Sequence, residues 1–200
     1  MMIPTRNEAE TLLAWASELN PGPWIEHSKT AAMTAEKIAR ECSMNGNQAY
    51  VLGLLHDIGR YEGRRDLHHM IAGYTLMSGK GYLECARICL THSFPIQDIA
   101  AHCGKSDCTQ DEITFMSDAI KSMEYNDYDR LIQLCDALSL PGRVTIVERR
   151  LIDVTLRYGF NALTIKKWES IFALKGYFDD MCGLNIYQLF QDALCADIFG

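Results

Sequence analysis

Apolar residues along this chain recur at three- and four-residue intervals, the spacing that lines one face of an α-helix. No stretch of four to eight residues alternates cleanly between apolar and polar, so nothing in the pattern supports a half-buried strand. The periodicity predicts helices over residues 6–18, 24–42, 47–57, 68–78, 82–92, 95–102, 109–123, 127–140, 144–158, 164–182 and 185–198. Helix breakers fall between these segments: Pro21-Gly22-Pro23, Asn45-Gly46, Gly79, Gly104, Pro141-Gly142, Gly159 and Gly183. Thr109-Gln110-Asp111-Glu112 has the form of a capping box. The expected fold class is all-α.

A few polar residues interrupt these apolar faces. The small and apolar run Ala49 to Leu55 ends in the adjacent pair His56-Asp57, and Gly59 follows. Burying such a pair without partners costs several kcal/mol or forces neutralisation. A bound metal removes that cost, because imidazole and carboxylate both ligate divalent ions. Such a pair also occurs as a surface cap, so the rest of the chain must decide. His27 begins one helical pattern, His68 and His69 open another, and His92 closes the apolar run from Ala86. Asp136 lies inside the otherwise apolar segment 131–138 and needs a partner there. Neighbouring helical residues point about 100° apart, so His56 and Asp57 can converge only where the backbone turns, just before Gly59.

The order His27, His56-Asp57, His69, His92, Asp136 resembles the HD-domain metal-dependent phosphohydrolase superfamily over roughly His27 to Asp136. The resemblance implies a compact HD-domain helical bundle with additional C-terminal helices. It implies that His27, His56, Asp57 and Asp136 hold one metal. In dinuclear relatives two more histidines hold a second ion bridged by the aspartate of the pair, here His69, His92 and Asp57. His69 is preferred to His68 because Gly73 follows it by four residues, as in bacterial dinucleoside-tetraphosphate hydrolases and cyclic-dinucleotide phosphodiesterases. Arg60 stands where the family usually has lysine, and the longer signature of the cyclic-dinucleotide enzymes is missing. A ligand set without thiolate suits iron or manganese, with other first-row metals open.

The reaction so implied is hydrolysis of a phosphoester or phosphoanhydride in a nucleotide or other small phosphorylated metabolite, with Asp57 and Arg60 as catalytic residues. Arg60, Arg64, Arg65 and His68, all in the segment 59–68, are the candidate contacts to the anionic substrate. Their alternative is a solvated turn paired with Glu62 and Asp66. Glu26, Lys29 and Thr91 adjoin ligands and could orient the rings. Two other uses of the ligand set stay open: a mixed-valent di-iron oxygenase, as in some relatives, and a non-catalytic nucleotide or effector sensor.

With 200 residues the chain suits a single domain over 1–200, with the metal-binding core at about 24–140 and a helical extension at about 144–200. A net charge of -7 argues against general nucleic-acid or anionic-membrane binding. No apolar run reaches membrane-spanning length, and the first residues lack an apolar signal core, so a cytoplasmic protein is expected. Of the eight cysteines, Cys42, Cys85, Cys89, Cys135 and Cys195 read as reduced core residues. His102-Cys103 with Cys108 lacks a fourth zinc ligand and reads as a loop, with His102 on the surface. The aromatic residues after Asp136 are expected to complete the core, with a homodimer surface or a lid over the site as the alternatives.

Overall fold

The computed structural model describes residues 3–63 and 65–199. Among these are ten α-helices: α1 (Arg6–Leu19), α2 (Trp24–Glu41), α3 (Gly46–Leu55), α4 (His68–Gly79), α5 (Leu83–Thr91), α6 (Gln110–Ser122), α7 (Asp127–Ala137), α8 (Val147–Tyr158), α9 (Thr164–Cys182) and α10 (Gln191–Phe199). Short 3-10 helices occupy Ile58–Glu62, Ile99–Ala101 and Ile186–Phe190. The only strands among the described residues are β1 (Ser139–Leu140) and β2 (Arg143–Val144), an antiparallel hairpin around Pro141-Gly142. The chain is all-α.

Several expected helices are shorter than their periodicity suggests, three of them near the site. The segment 95–102 keeps only the turn Ile99–Ala101. Helix α7 stops at Ala137 because Ser139–Leu140 pairs with Arg143–Val144, and the positive φ of Gly142 (75°) closes that turn. Helix α3 stops at Leu55, and the chain tightens into the 3-10 helix Ile58–Glu62. His56 and Asp57 therefore sit at a helix end, where their side chains can converge.

Helix α3 is buried all round from Ala49 to Leu55, which marks it as the central element. It lies directly on α2: a Cβ on Gly53 would come within 2.9 Å of Ala32 Cα. The turn after α3 crosses α4 even more closely. A Cβ on Gly59 would lie 1.9 Å from the His69 carbonyl oxygen and 2.4 Å from Gly73 N. Gly73 is confined in turn by Cys89, whose Sγ would be 2.8 Å from its Cβ. Two glycines thus let the Asp57 turn, α4 and α5 approach one another at backbone distance.

Helices α5 and α7 are clamped by polar bonds. The buried Asp129 carboxylate accepts from Arg87 Nε at 3.0 Å and from Thr91 Oγ1 at 2.8 Å. Gln133 Nε2 donates to the Thr91 carbonyl at 3.0 Å. Helix α4 starts without a side-chain cap of its own. Asp107, from the loop before α6, supplies one by accepting from the amides of Asp66, Leu67 and His68 at 2.8–2.9 Å.

The C-terminal helices join the same core. Ile171, Phe178, Ile186 and Phe190 are buried with the residues of α1 to α3, while Tyr158 and Phe160 stay exposed. Cys42, at the end of α2, and Cys182, at the end of α9, form a disulfide. That corrects the reading of Cys42 as a reduced core thiol. Cys195 is exposed, which corrects its reading as a core residue, whereas Cys85, Cys89 and Cys135 are buried free thiols. No described helix is long and apolar enough to cross a membrane.

Two outcomes follow for stability. Gly59→Ala forces two backbones apart, and we expect a loss of about 3 kcal/mol or more in urea unfolding, the upper range for overpacking. Linking residues 140 positions apart restricts the unfolded chain by up to about 5 kcal/mol. Reductant should therefore lower the unfolding midpoint of the wild type and leave Cys42→Ser unmoved.

Candidate metal centre

Four imidazoles meet at the ends of four helices. His27 comes from the first turn of α2, His56 from the end of α3, His69 from the start of α4 and His92 from the end of α5. All four are buried, as is Asp57. Each ring directs Nδ1 at a backbone carbonyl: His27 at Ser139 (3.1 Å), His56 at Gly53 (2.7 Å), His92 at Cys89 (3.0 Å) and His69 at Asp66. A carbonyl can only accept, so every Nδ1 carries the proton and every Nε2 of a neutral ring presents a bare lone pair.

Those lone pairs converge on carboxylates. His69 Nε2 is 3.0 Å and His92 Nε2 3.6 Å from Asp57 Oδ1, and the two Nε2 atoms are 3.4 Å apart. His56 Nε2 is 3.9 Å from Asp57 Oδ2. His27 Nε2 is 3.0 Å from Asp136 Oδ1. One ligand atom from each of His27, His56 and Asp57 lies within 4.8 Å of the others, and so do those of Asp57, His69 and His92. Asp57 belongs to both groups. His56 Nε2 and Asp57 Oδ1 are buried with no hydrogen-bond donor. Acceptors facing acceptors in a buried site repel, and a divalent cation is the species that satisfies them together. The residues present therefore fit a metal, with Asp57 between two ligand groups and Asp136 reaching the centre beside His27.

The protonation states agree with that fit. Burial lowers His56, and burial reinforced by His56 lowers His92 to about 3, so both rings stay neutral. Burial opposes ionisation of Asp57, but the Arg60 guanidinium beside it works the other way, and the carboxyl lies well below the ordinary range. Burial likewise opposes ionisation of Asp136, while the Arg150 guanidinium favours it, and the carboxyl is held below its ordinary range.

The centre opens into a cleft of about 760 Å³, within the range of small-molecule sites. Arg60 lines it, donating from Nε to Asp57 Oδ2 at 2.6 Å. Of the other expected substrate contacts, Arg65 and His68 lie elsewhere. Arg65 is exposed, and only its carbonyl approaches the site, accepting from Arg60. His68 faces Glu62 at 2.9 Å and Glu112 at 3.7 Å, so its ring belongs to a surface network and not to the cleft. Arg64 falls outside the described residues. Glu26 and Lys29 pair with each other at the exposed surface, whereas Thr91 anchors the helix that ends in His92. His68, Cys108 and Glu112 could also gather around an ion, but Glu112 already caps α6 through Thr109.

The cleft's remaining cations come from the C-terminal helices: Arg150 and Arg157 on α8 and Lys167 on α9. Arg150 Nη2 is 3.6 Å from Asp136 Oδ1. His102 lines the cleft as well, its Nε2 buried and without a partner, which corrects its placement on the surface. Nothing local in the sequence marks these residues. The 3.6-residue period shows that α8 and α9 are amphipathic, but not which cleft their polar positions face.

No solved structure matches this chain. A family model described as the HD domain matches residues 24–140, the segment that contributes every ligand described above. On that match, which spans more than half of its length, the chain belongs to the HD domain family, whose members are generally metal-dependent hydrolases.

Proposed function

We propose that this chain is a phosphohydrolase that cleaves a phosphoester or phosphoanhydride bond in a nucleotide or other small phosphorylated metabolite. Two divalent ions, iron or manganese by ligand type, would be held by His27, His56, Asp57, His69, His92 and Asp136, with Asp57 shared. The observation that carries the reading is the convergence of four bare Nε2 atoms and two ionised carboxylates at the floor of an open cleft. Bound there, the ions would supply activated water and charge stabilisation for phosphoryl oxygens.

The protein's own residues account for the rest. The backbone carbonyls of Gly53, Asp66, Cys89 and Ser139 fix the tautomer and aim of the rings. Arg60 keeps Asp57 ionised and leaves guanidinium N–H groups at the cleft wall. Among the charged side chains of the lining, Arg60, Arg150, Arg157 and Lys167 offset Asp57, Asp66, Asp136 and Asp153. Any bound dication therefore leaves the cleft net positive, a setting that favours an anionic substrate.

Elemental analysis of freshly purified protein should find two equivalents of metal per chain. His69→Ala should retain one of them, and Asp57→Ala should retain neither. Phosphate or nucleotide release from a panel of phosphorylated metabolites should fall at least about 10³-fold in Asp57→Ala, the equivalent of several kcal/mol of lost charge stabilisation. Unchanged turnover in that variant would refute the assignment. Oxygen uptake on adding an organic substrate, with no phosphate released, would replace it with the oxygenase chemistry.

A further inference from the structure

Lys167 is the most unusual charge in the cleft. It projects from α9, and its Nζ makes one long hydrogen bond, 3.4 Å to the Ala101 carbonyl. An ammonium has three donors, and no carboxylate among the described residues forms an ion pair with this one. Burial lowers it from its ordinary value, against the opposing pull of Cys103 and Asp136 and with Arg150 adding to the lowering. Holding a charge in such a place is unfavourable unless an anion joins it. Beside it, His102 keeps a buried Nε2 without a partner, and a Cβ on Gly104 would come within 2.6 Å of that atom. Arg150 divides its guanidinium between Asp136 at 3.6 Å and Asp153 at 3.3 Å, neither of them a close bidentate pair. Two other lysines are paired at shorter range: Lys29 with Glu26 at 2.7 Å and Lys175 with Asp179 at 2.5 Å.

The geometry points to a second anion subsite in the cleft, formed by Lys167 with Arg150. The substrate then carries two anionic groups: a phosphoryl group at the histidine–aspartate centre and a further phosphate or carboxylate at Lys167. The assignment of the first group rests on the phosphohydrolase reading; that of the second rests on the unpaired ammonium alone. A point charge on a flexible stem accepts either oxyanion, so specificity between them falls to Arg150 and His102.

Unreactive probes test this directly. Calorimetric titration of the metal-loaded protein with α,ω-alkanebisphosphonates of one to about six methylenes is compared with alkylphosphonates of matching length. A parallel ω-carboxyalkylphosphonate series distinguishes phosphate from carboxylate. At least one doubly anionic probe should bind about tenfold or more tightly than its singly anionic counterpart. Lys167→Met should remove that advantage without changing metal content, weakening monophosphonate binding far less than bisphosphonate binding, and Lys167→Arg should keep it. The subsite is overturned if no doubly anionic probe is preferred, or if the preference survives in Lys167→Met. A wild type that binds no metal, yet prefers doubly anionic probes in a Lys167-dependent way, would uphold the subsite and refute the hydrolase. Phosphoester hydrolysis with no such preference would do the reverse.

Discussion

Six acceptor groups aimed at one another in a buried space form the constraint on which the rest of this structure depends. With Nδ1 committed to a carbonyl, each imidazole in its neutral form has nothing to donate to Asp57 or Asp136. Arg60 reaches Asp57 Oδ2, and Arg150 comes within 3.6 Å of Asp136, but Asp57 Oδ1 and His56 Nε2 are left without any donor. An arrangement of this kind is unfavourable on its own and becomes favourable when a cation enters.

Much of the architecture reads as a device for holding that arrangement. Each ligand sits at or near a helix end, where a free backbone carbonyl can orient it or the chain can turn. Gly59 and Gly73 permit an approach that a single methyl group would prevent, and it brings Asp57 within 3.0 Å of His69. The Arg87–Asp129–Thr91 cluster ties the helix that ends in His92 to the helix that carries Asp136. Asp107 does the same for the start of α4 from a loop 39 to 41 residues away. Such bonds act on position: they set distances among ligands that ordinary side-chain freedom would blur by an ångström or more.

The two parts of the chain contribute different chemistry to one cleft. Segment 24–140 supplies the metal ligands and Arg60, and the C-terminal helices supply Arg150, Arg157 and Lys167. The link between Cys42 and Cys182 joins the end of α2 to the end of α9, so the element that carries His27 is bound covalently to the one that carries Lys167. A protein of net charge -7 thereby gathers a group of cations in the cleft that holds the candidate metal ligands.

The helical fold, the apolar character of α3 and the six candidate ligands were legible in the linear chain. Each depends on local chemistry: a 3.6-residue period, or a His-Asp pair beside a glycine in apolar surroundings. The segments that misled were those in which a long-range pairing overrode local propensity. Residues 138–140 leave α7 for a hairpin, and most of 95–102 is loop. The arginine-rich turn also misled, because charge density near a motif says nothing about direction. Arg60 faces the cleft, while Arg65 and His68 face solvent or other side chains. Sequence alone determined which groups could bind a cation, since ligand chemistry belongs to residue type. Only the tertiary structure decided which cations share the cleft with them, that Cys42 meets Cys182, and that Asp107 caps α4, because those contacts join residues about 40 to 140 positions apart, whose proximity is a property of packing.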